Sequence, residues 1–164
     1  MKKTVLSVVS MFLMLIMMFS LVSCSSLPSA VKDKKIEKAQ SFLELNPSDE
    51  EITSMINKAT ASWMLALGND DDVVTGYSKQ DKAIYTIYYT NFSSMDMSSY
   101  GVDQSEIIPS VKGISEKITK SVDFGSYKYG VIVVKGYKSS SYSADVLFVL
   151  MNNKEVANYT SWKK

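Results

Sequence analysis

The run Ala144-Asp145-Val146-Leu147-Phe148-Val149-Leu150-Met151 constrains the fold more than any other stretch. After Asp145 every position is apolar, whereas a strand with one face in water alternates apolar and polar side chains. Such a strand belongs in the middle of a sheet. Residues 127–137 and 155–160 also read as strands, and residues 142–151 complete a run of three. Asn152-Asn153 suits a tight hairpin, because Asn tolerates positive φ. The C-terminal third is therefore expected to be a three-stranded meander.

Upstream, residues 31–45 carry Ile36, Ala39, Phe42 and Leu43 at helical spacing and predict a short amphipathic helix, broken by Asn46-Pro47. Ser48-Asp49-Glu50-Glu51 reads as a capping box, with Ser48 as the cap and Glu51 reaching back. The next helix places Ile52, Met55, Ile56, Ala59, Trp63, Ala66 and Leu67 on one side, and Gly68 ends it. After an acidic turn at 69–72, residues 73–77 and 83–92 read as a strand pair around a turn at 78–81. Residues 93–103 read as a loop. Residues 104–122 read as a helix that starts near Pro109 and is weakened by Gly113, by up to about 1 kcal/mol. The order is helix, helix, hairpin, helix, meander. It predicts a single α+β domain over 31–164, with a mostly antiparallel sheet of about five strands and helices packed on one face.

What the chain lacks limits its chemistry. All 18 basic residues among the 164 are Lys, His and Arg are absent, and there is one Cys. Imidazole bases, His metal ligands, guanidinium clamps on phosphate, intrachain disulfides and Cys metal clusters are thereby excluded. No cofactor and no metal site is expected, and no residue is nominated as catalytic. The formal net charge of +1 falls slightly below zero once Lys2 and Lys3 are removed with a signal. Nucleic acid, which needs many cations on one face, is not an expected partner.

The N-terminus has the three parts of a secretory signal: Lys2 and Lys3, a charge-free apolar run from 4 to 22, and small residues from Ser23 to Ser26. The run is long for a signal and nearly long enough to span a bilayer, so an uncleaved anchor is the competing reading. Leu21-Val22-Ser23-Cys24 separates the two. These four residues resemble the lipobox of bacterial lipoproteins, and the chain's one Cys stands where that motif needs it. The resemblance covers residues 1–24. It implies cleavage before Cys24, a diacylglyceryl group on the Cys24 thiol, and acylation of the new amine by a chain such as palmitate. Residues 1–23 would then be the signal peptide and 24–30 a lipidated tether. With Ser25 after the Cys, the resemblance favours the outer membrane or cell surface.

The remaining motifs are weighed against plainer readings. Ser-x-x-Lys occurs at Ser29–Lys32 and Ser161–Lys164, without the partner motifs of acyl enzymes, and reads as chance in a Ser- and Lys-rich chain. Asp70-Asp71-Asp72 lacks the alternation of a calcium loop and reads as a solvated turn. Lys32, Lys34, Lys35 and Lys38 lie close to the anchor and would add attraction to an anionic surface, although a solvated face explains them as well. Tyr85 and Tyr89 share one strand face, and Tyr127, Tyr129 and Tyr137 share another. They are the candidate binding face, with core packing as the plainer reading. The sequence thus points to a lipid-anchored cell-envelope lipoprotein acting as a non-catalytic binding or assembly module. Its partner would be an envelope protein, a wall polymer or a small solute. The alternative is a small envelope enzyme, or an inhibitor of one, using carboxylate, Tyr, Ser or Lys groups.

Overall fold

The computed structural model describes residues 27–68, 72–90, 106–136, 138 and 143–160. Among them lie seven strands: β1 (Val31–Lys32), β2 (Lys35–Ile36), β3 (Val73–Ser78), β4 (Ala83–Thr90), β5 (Lys128–Lys135), β6 (Ala144–Met151) and β7 (Lys154–Asn158). Three helices accompany them: α1 (Ala39–Phe42), α2 (Glu50–Leu67) and α3 (Ile107–Ser121). The chain is α+β. Its strands form one curled sheet in the order β1-β2-β6-β5-β4-β3, with β7 also paired to β6.

β6 is interior, as its composition requires. It pairs with β5 on one side and with β2 and β7 on the other. Both of its faces are buried. Phe148 and Leu150 pack with α2 and α3, while Val146, Val149 and Met151 point into a second core. Leu147 is the extra residue of a bulge opposite Val133 and Val134. β4 and β5 divide in the same way. Ile84, Tyr129, Val131 and Val133 join the helix side, while Ala83, Tyr85, Ile87, Tyr89, Ile132 and Val134 join the other. Period-two alternation of apolar side chains on both faces gives the sheet two cores.

The sheet is mixed, which corrects the mostly antiparallel, five-stranded expectation. β4 and β5 are parallel, from Ala83 opposite Lys128 to Thr90 opposite Lys135. Two parallel neighbours need a long crossover, and the connection that contains α3 provides it. Only β5, β6 and β7 meander. The two long helices do share one face, since Ile52, Met55, Ile56, Ala59 and Trp63 of α2 and Val111 and Ile118 of α3 enter the same core.

Residues 31–45 do not form the expected amphipathic helix. They form the β1–β2 hairpin followed by the single turn α1. Asp33 and Lys34 at its tip have φ of 49° and 63°, the conformation of a two-residue turn that matches strand twist. Of the apolar positions, Ile36, Ala39 and Leu43 are nevertheless buried in the second core with Val31, and Phe42 is half-buried against it. Beyond α1, Glu44 pairs with the outer edge of β3, its N–H donating to Tyr77 O at 2.8 Å and its carbonyl accepting from Tyr77 N at 3.0 Å. One segment thus pairs with β6 and with the far edge strand, and closes over the curled face. Gly76 permits this approach, because a Cβ there would lie 2.9 Å from Leu43 Cβ and 3.1 Å from Glu44 O.

The α2 terminus differs in detail. The cap is Asp49 rather than Ser48, and its carboxylate accepts from the amides of Glu51 and Ile52. A carboxylate suits the positive end of the helix dipole better than a hydroxyl does. Gly68 ends the helix at φ 77°, and Ala66 is exposed. Asn152 and Asn153 occupy the β6–β7 turn at φ 47° and 64°.

Two glycines give a signed test of this packing. A Cβ on Gly130 would stand 2.6 Å from the Tyr85 ring and from Met151 Sδ, whereas one on Gly113 would meet nothing within 4 Å. Gly130→Ala is expected to destabilise by about 1–3 kcal/mol through overpacking. Gly113→Ala, within α3, is expected to stabilise by up to about 1 kcal/mol. Urea unfolding of the two variants beside the parent checks both signs.

Candidate functional site

The four candidate tyrosines among the described residues do not form one surface. Tyr85 and Tyr89 are buried in the curled-face core, and Tyr129 is buried in the helix-side core. Tyr127 is half-buried and packs edge-to-face on Tyr77, with ring centroids 5.5 Å apart. Tyr137 lies outside the described residues, as do Leu21, Val22, Ser23, Cys24, Asp70, Asp71, Ser161 and Lys164. The plainer reading therefore holds for three of the five rings. Strand alternation placed Tyr85 and Tyr89 on one face of β4, and that face is interior.

Tyr129 is the centre of a buried polar chain. Trp63 Nε1–H donates to Tyr129 Oη at 2.7 Å, Tyr129 and Thr86 hydroxyls are 3.0 Å apart, and Thr86 and Thr75 hydroxyls are also 3.0 Å apart. Phe124 stacks on the Tyr129 ring and Tyr88 on Trp63. Burial pushes the Tyr129 hydroxyl up to about 12, opposed by its bonds to Thr86 and Trp63. The chain satisfies buried polar atoms and joins α2 to β3, β4 and β5. All four of its side chains are buried.

Asp81, in the β3–β4 turn, is a second polar centre. Its Oδ2 accepts from the Ser29 backbone N–H at 3.1 Å and from the Tyr85 hydroxyl at 3.0 Å, with Ser78 Oγ at 3.4 Å. Burial first, and then this carboxylate, hold the Tyr85 hydroxyl far above its ordinary range. Pro28 is buried beside Ser29. A cavity of about 340 Å³ opens next to this point, with Ser29, Lys32, Lys35, Glu37 and Gln80 among its walls. Nothing local marked Asp81 in the sequence. Its partner Ser29 lies 52 positions away.

A polar cleft of about 480 Å³ lies on the helix side at the same end of the sheet. It is bounded by the C-terminal turn of α3 and by the Asn152–Asn153 turn. Ser115 Oγ donates to Asn153 Oδ1 and Asn153 Nδ2 donates to Thr119 Oγ1, both at 2.7 Å, so helix and hairpin are fixed to one another. Asn152 Oδ1 accepts from Tyr129 N at 3.1 Å, and Asp123 Oδ1 accepts from Gly125 N at 2.8 Å. The walls thus present amide, hydroxyl and aromatic groups with one carboxylate, Asp123, and one ammonium, Lys120. Such a lining can hydrogen-bond a polar ligand and hold a ring against Tyr127. Among the described residues no three His, Cys, Asp or Glu side chains converge for a metal ion. Among them, too, no helix is long and apolar enough to cross a membrane.

Two measurements probe the buried chain. Tyr129→Phe strips Trp63 N–H of its acceptor and is expected to cost about 1–3 kcal/mol in urea unfolding. For the parent chain, Tyr129 is an acid held protonated by the fold. Its contribution is complete below pH 10 and is lost as pH rises from 10 toward about 12, because only the unfolded chain releases the proton in that interval. Stability should therefore fall across that window, and the tyrosinate absorbance of buried rings should appear together with unfolding.

Comparison with protein-family models, with curated proteins and with solved structures found no match to this chain.

Proposed function

We propose that this chain is a lipid-anchored lipoprotein of the bacterial cell envelope that acts as a non-catalytic binding or assembly module. The observation that carries the anchoring is Leu21-Val22-Ser23-Cys24, a lipobox-like run ending in the one Cys of the chain, behind a charged and then apolar leader. Two acyl chains on one cysteine suffice for stable anchoring, since each buried methylene contributes about 0.8 kcal/mol. Support for a binding role comes from the cleft beside the Asn152–Asn153 turn. Its walls are tied together by Ser115, Thr119 and Asn153, so a ligand would meet a preformed lining. A wall polymer, a small polar solute or a polar loop of an envelope protein matches that chemistry.

Intact mass of the protein from its own cells tests the anchor. The expected chain begins at Cys24 and carries diacylglycerol with or without a further acyl group. Cys24→Ala should retain the leader and take up no labelled palmitate. A parent chain that starts at Met1 and bears no lipid overturns the anchoring. For the cleft, a photo-crosslinking residue in place of exposed Ser121 should capture one stoichiometric partner or wall fragment. The same residue in place of Lys58 on α2 should not. Equal capture from both positions would remove the cleft from the binding role.

A further inference from the structure

We infer that the cleft beside the Asn152–Asn153 turn is a carbohydrate subsite, fitted to an uncharged, hydroxylated sugar ring; this rests on the binding role proposed above for the cleft and names its ligand class. Two lining residues carry it, Asn152 in the β6–β7 turn and Asp123 just beyond α3. Each is held at one oxygen by a backbone amide. Asn152 Oδ1 accepts from Tyr129 N–H at 3.1 Å, and Asp123 Oδ1 accepts from Gly125 N–H at 2.8 Å. A backbone N–H can only donate, so the Asn152 atom that faces Tyr129 is the oxygen, and Nδ2 is left over. The Asn152 N–H donates in turn to Tyr129 O at 2.8 Å, which fixes the residue a second time. Among the described residues, neither Asn152 Nδ2 nor Asp123 Oδ2 has a protein partner. Both residues are exposed. The cleft thus offers solvent one positioned donor and one positioned acceptor.

A ligand that satisfies both must accept and donate. A carboxylate or phosphate only accepts, and an ammonium only donates. A hydroxyl does both, and the neighbouring hydroxyls of a sugar ring repeat the pattern. The charged lining residues, Asp123 and Lys120, are one of each sign, so the lining has no net charge with which to select an ion. Tyr127 supplies an apolar wall. Its ring is half-buried, lines the cleft and is braced edge-to-face on Tyr77. An aromatic ring of that kind suits the C–H face of a sugar. The cleft volume of about 480 Å³ lies within the range of small-ligand sites, roughly 300–1,000 Å³. A free sugar and a wall glycan share this chemistry.

The test uses the full lipidated protein, labelled with nitrogen-15 in its own cells and held in a sugar-free detergent. It is titrated with maltotriose, with the trimer of N-acetylglucosamine, and with glycan strands released from the wall of the same cells and stripped of peptide. Backbone and side-chain amide resonances report binding. At least one saccharide should bind and shift the Asn152 side-chain amide, with an affinity that salt does not change, since a neutral ligand has no charge to screen. Asn152→Asp and Asp123→Asn each keep the oxygen that holds a backbone amide and change the atom left for the ligand. Each should weaken binding about tenfold, the loss of one hydrogen bond. Asn57→Asp, the same change at an exposed position of α2, should bind as the parent does. Tighter binding of the strands than of the trimers assigns the wall glycan, and equal binding assigns a free sugar. Shifts that avoid the cleft, or unchanged affinity in both cleft variants, overturn the inference. If no saccharide binds while the crosslinker at Ser121 captures a polypeptide, the carbohydrate assignment falls and the binding role of the cleft stands. If no saccharide binds and nothing is captured, both fall.

Discussion

The fold depends on a sheet that is apolar on both faces and must be covered twice. α2 and α3 cover one face, which is the usual solution for an α+β chain. The second cover is less common. It is the N-terminal segment, too short to supply a long helix, and it works because the sheet curls. Val31, Ile36, Ala39 and Leu43 enter the concave side, and Glu44 then pairs with the free edge of β3. An edge strand left open is a template for wrong pairing. The same segment therefore fills a core and occupies an edge. Two glycines set how closely it and its neighbours approach, Gly76 beneath Leu43 and Gly130 beneath the Tyr85 ring.

Elements decided by local chemistry were legible in the sequence. Gly68 and the 3.6-residue spacing defined α2, and Asn152-Asn153 defined the last hairpin. Buried positions were also legible, even where the element was not. Ile36, Ala39 and Leu43 satisfy a helical template, yet a two-residue turn at Asp33-Lys34 followed by one helical turn buries the same three side chains. Periodicity over so short a window does not separate these solutions. The parallel β4–β5 pair was within reach of the sequence. A strand, a helical stretch and a strand followed one another from 83 to 137, the pattern of a crossover unit. The expected meander took the second of these strands as its first and left its pairing with β4 unread.

The candidate site was less legible, for a physical reason. Tyrosines were weighed as a binding face, because they give large contact area at low entropy cost, against core packing as the plainer reading. Here the partners exist: Trp63 and Thr86 for Tyr129, and Asp81 for Tyr85. Each bond joins residues from different elements, and two of the three cross more than 40 positions. A sequence shows that a polar ring is present, but it does not show whether a donor waits for it inside. The same limit hid the polar cleft, whose walls come from α3, β5 and the β6–β7 turn.

Among the described residues the aromatic rings pack into or against the two cores, and the polar cleft lies at one end of the sheet. The β3–β4 turn, the start of β5 and the β6–β7 turn all emerge there, since β4 and β5 are parallel and β6 returns beside them. The N-terminal segment enters at the same end and is fixed to Asp81. In a freely tethered domain the position of the tether would matter little to what the domain binds. A domain fixed five residues from an anchor, as the proposed lipid on Cys24 would make this one, is different. On the proposed anchoring, its reach would be shorter than its own diameter, and the surface around Ser29 and Asp81 would meet the membrane first. The cleft at the Asn152–Asn153 turn opens on the helix side of that end. A ligand bound there would be held at the height of the headgroups, a position suited to polymers and loops that lie along the membrane and ill suited to partners that project far from it.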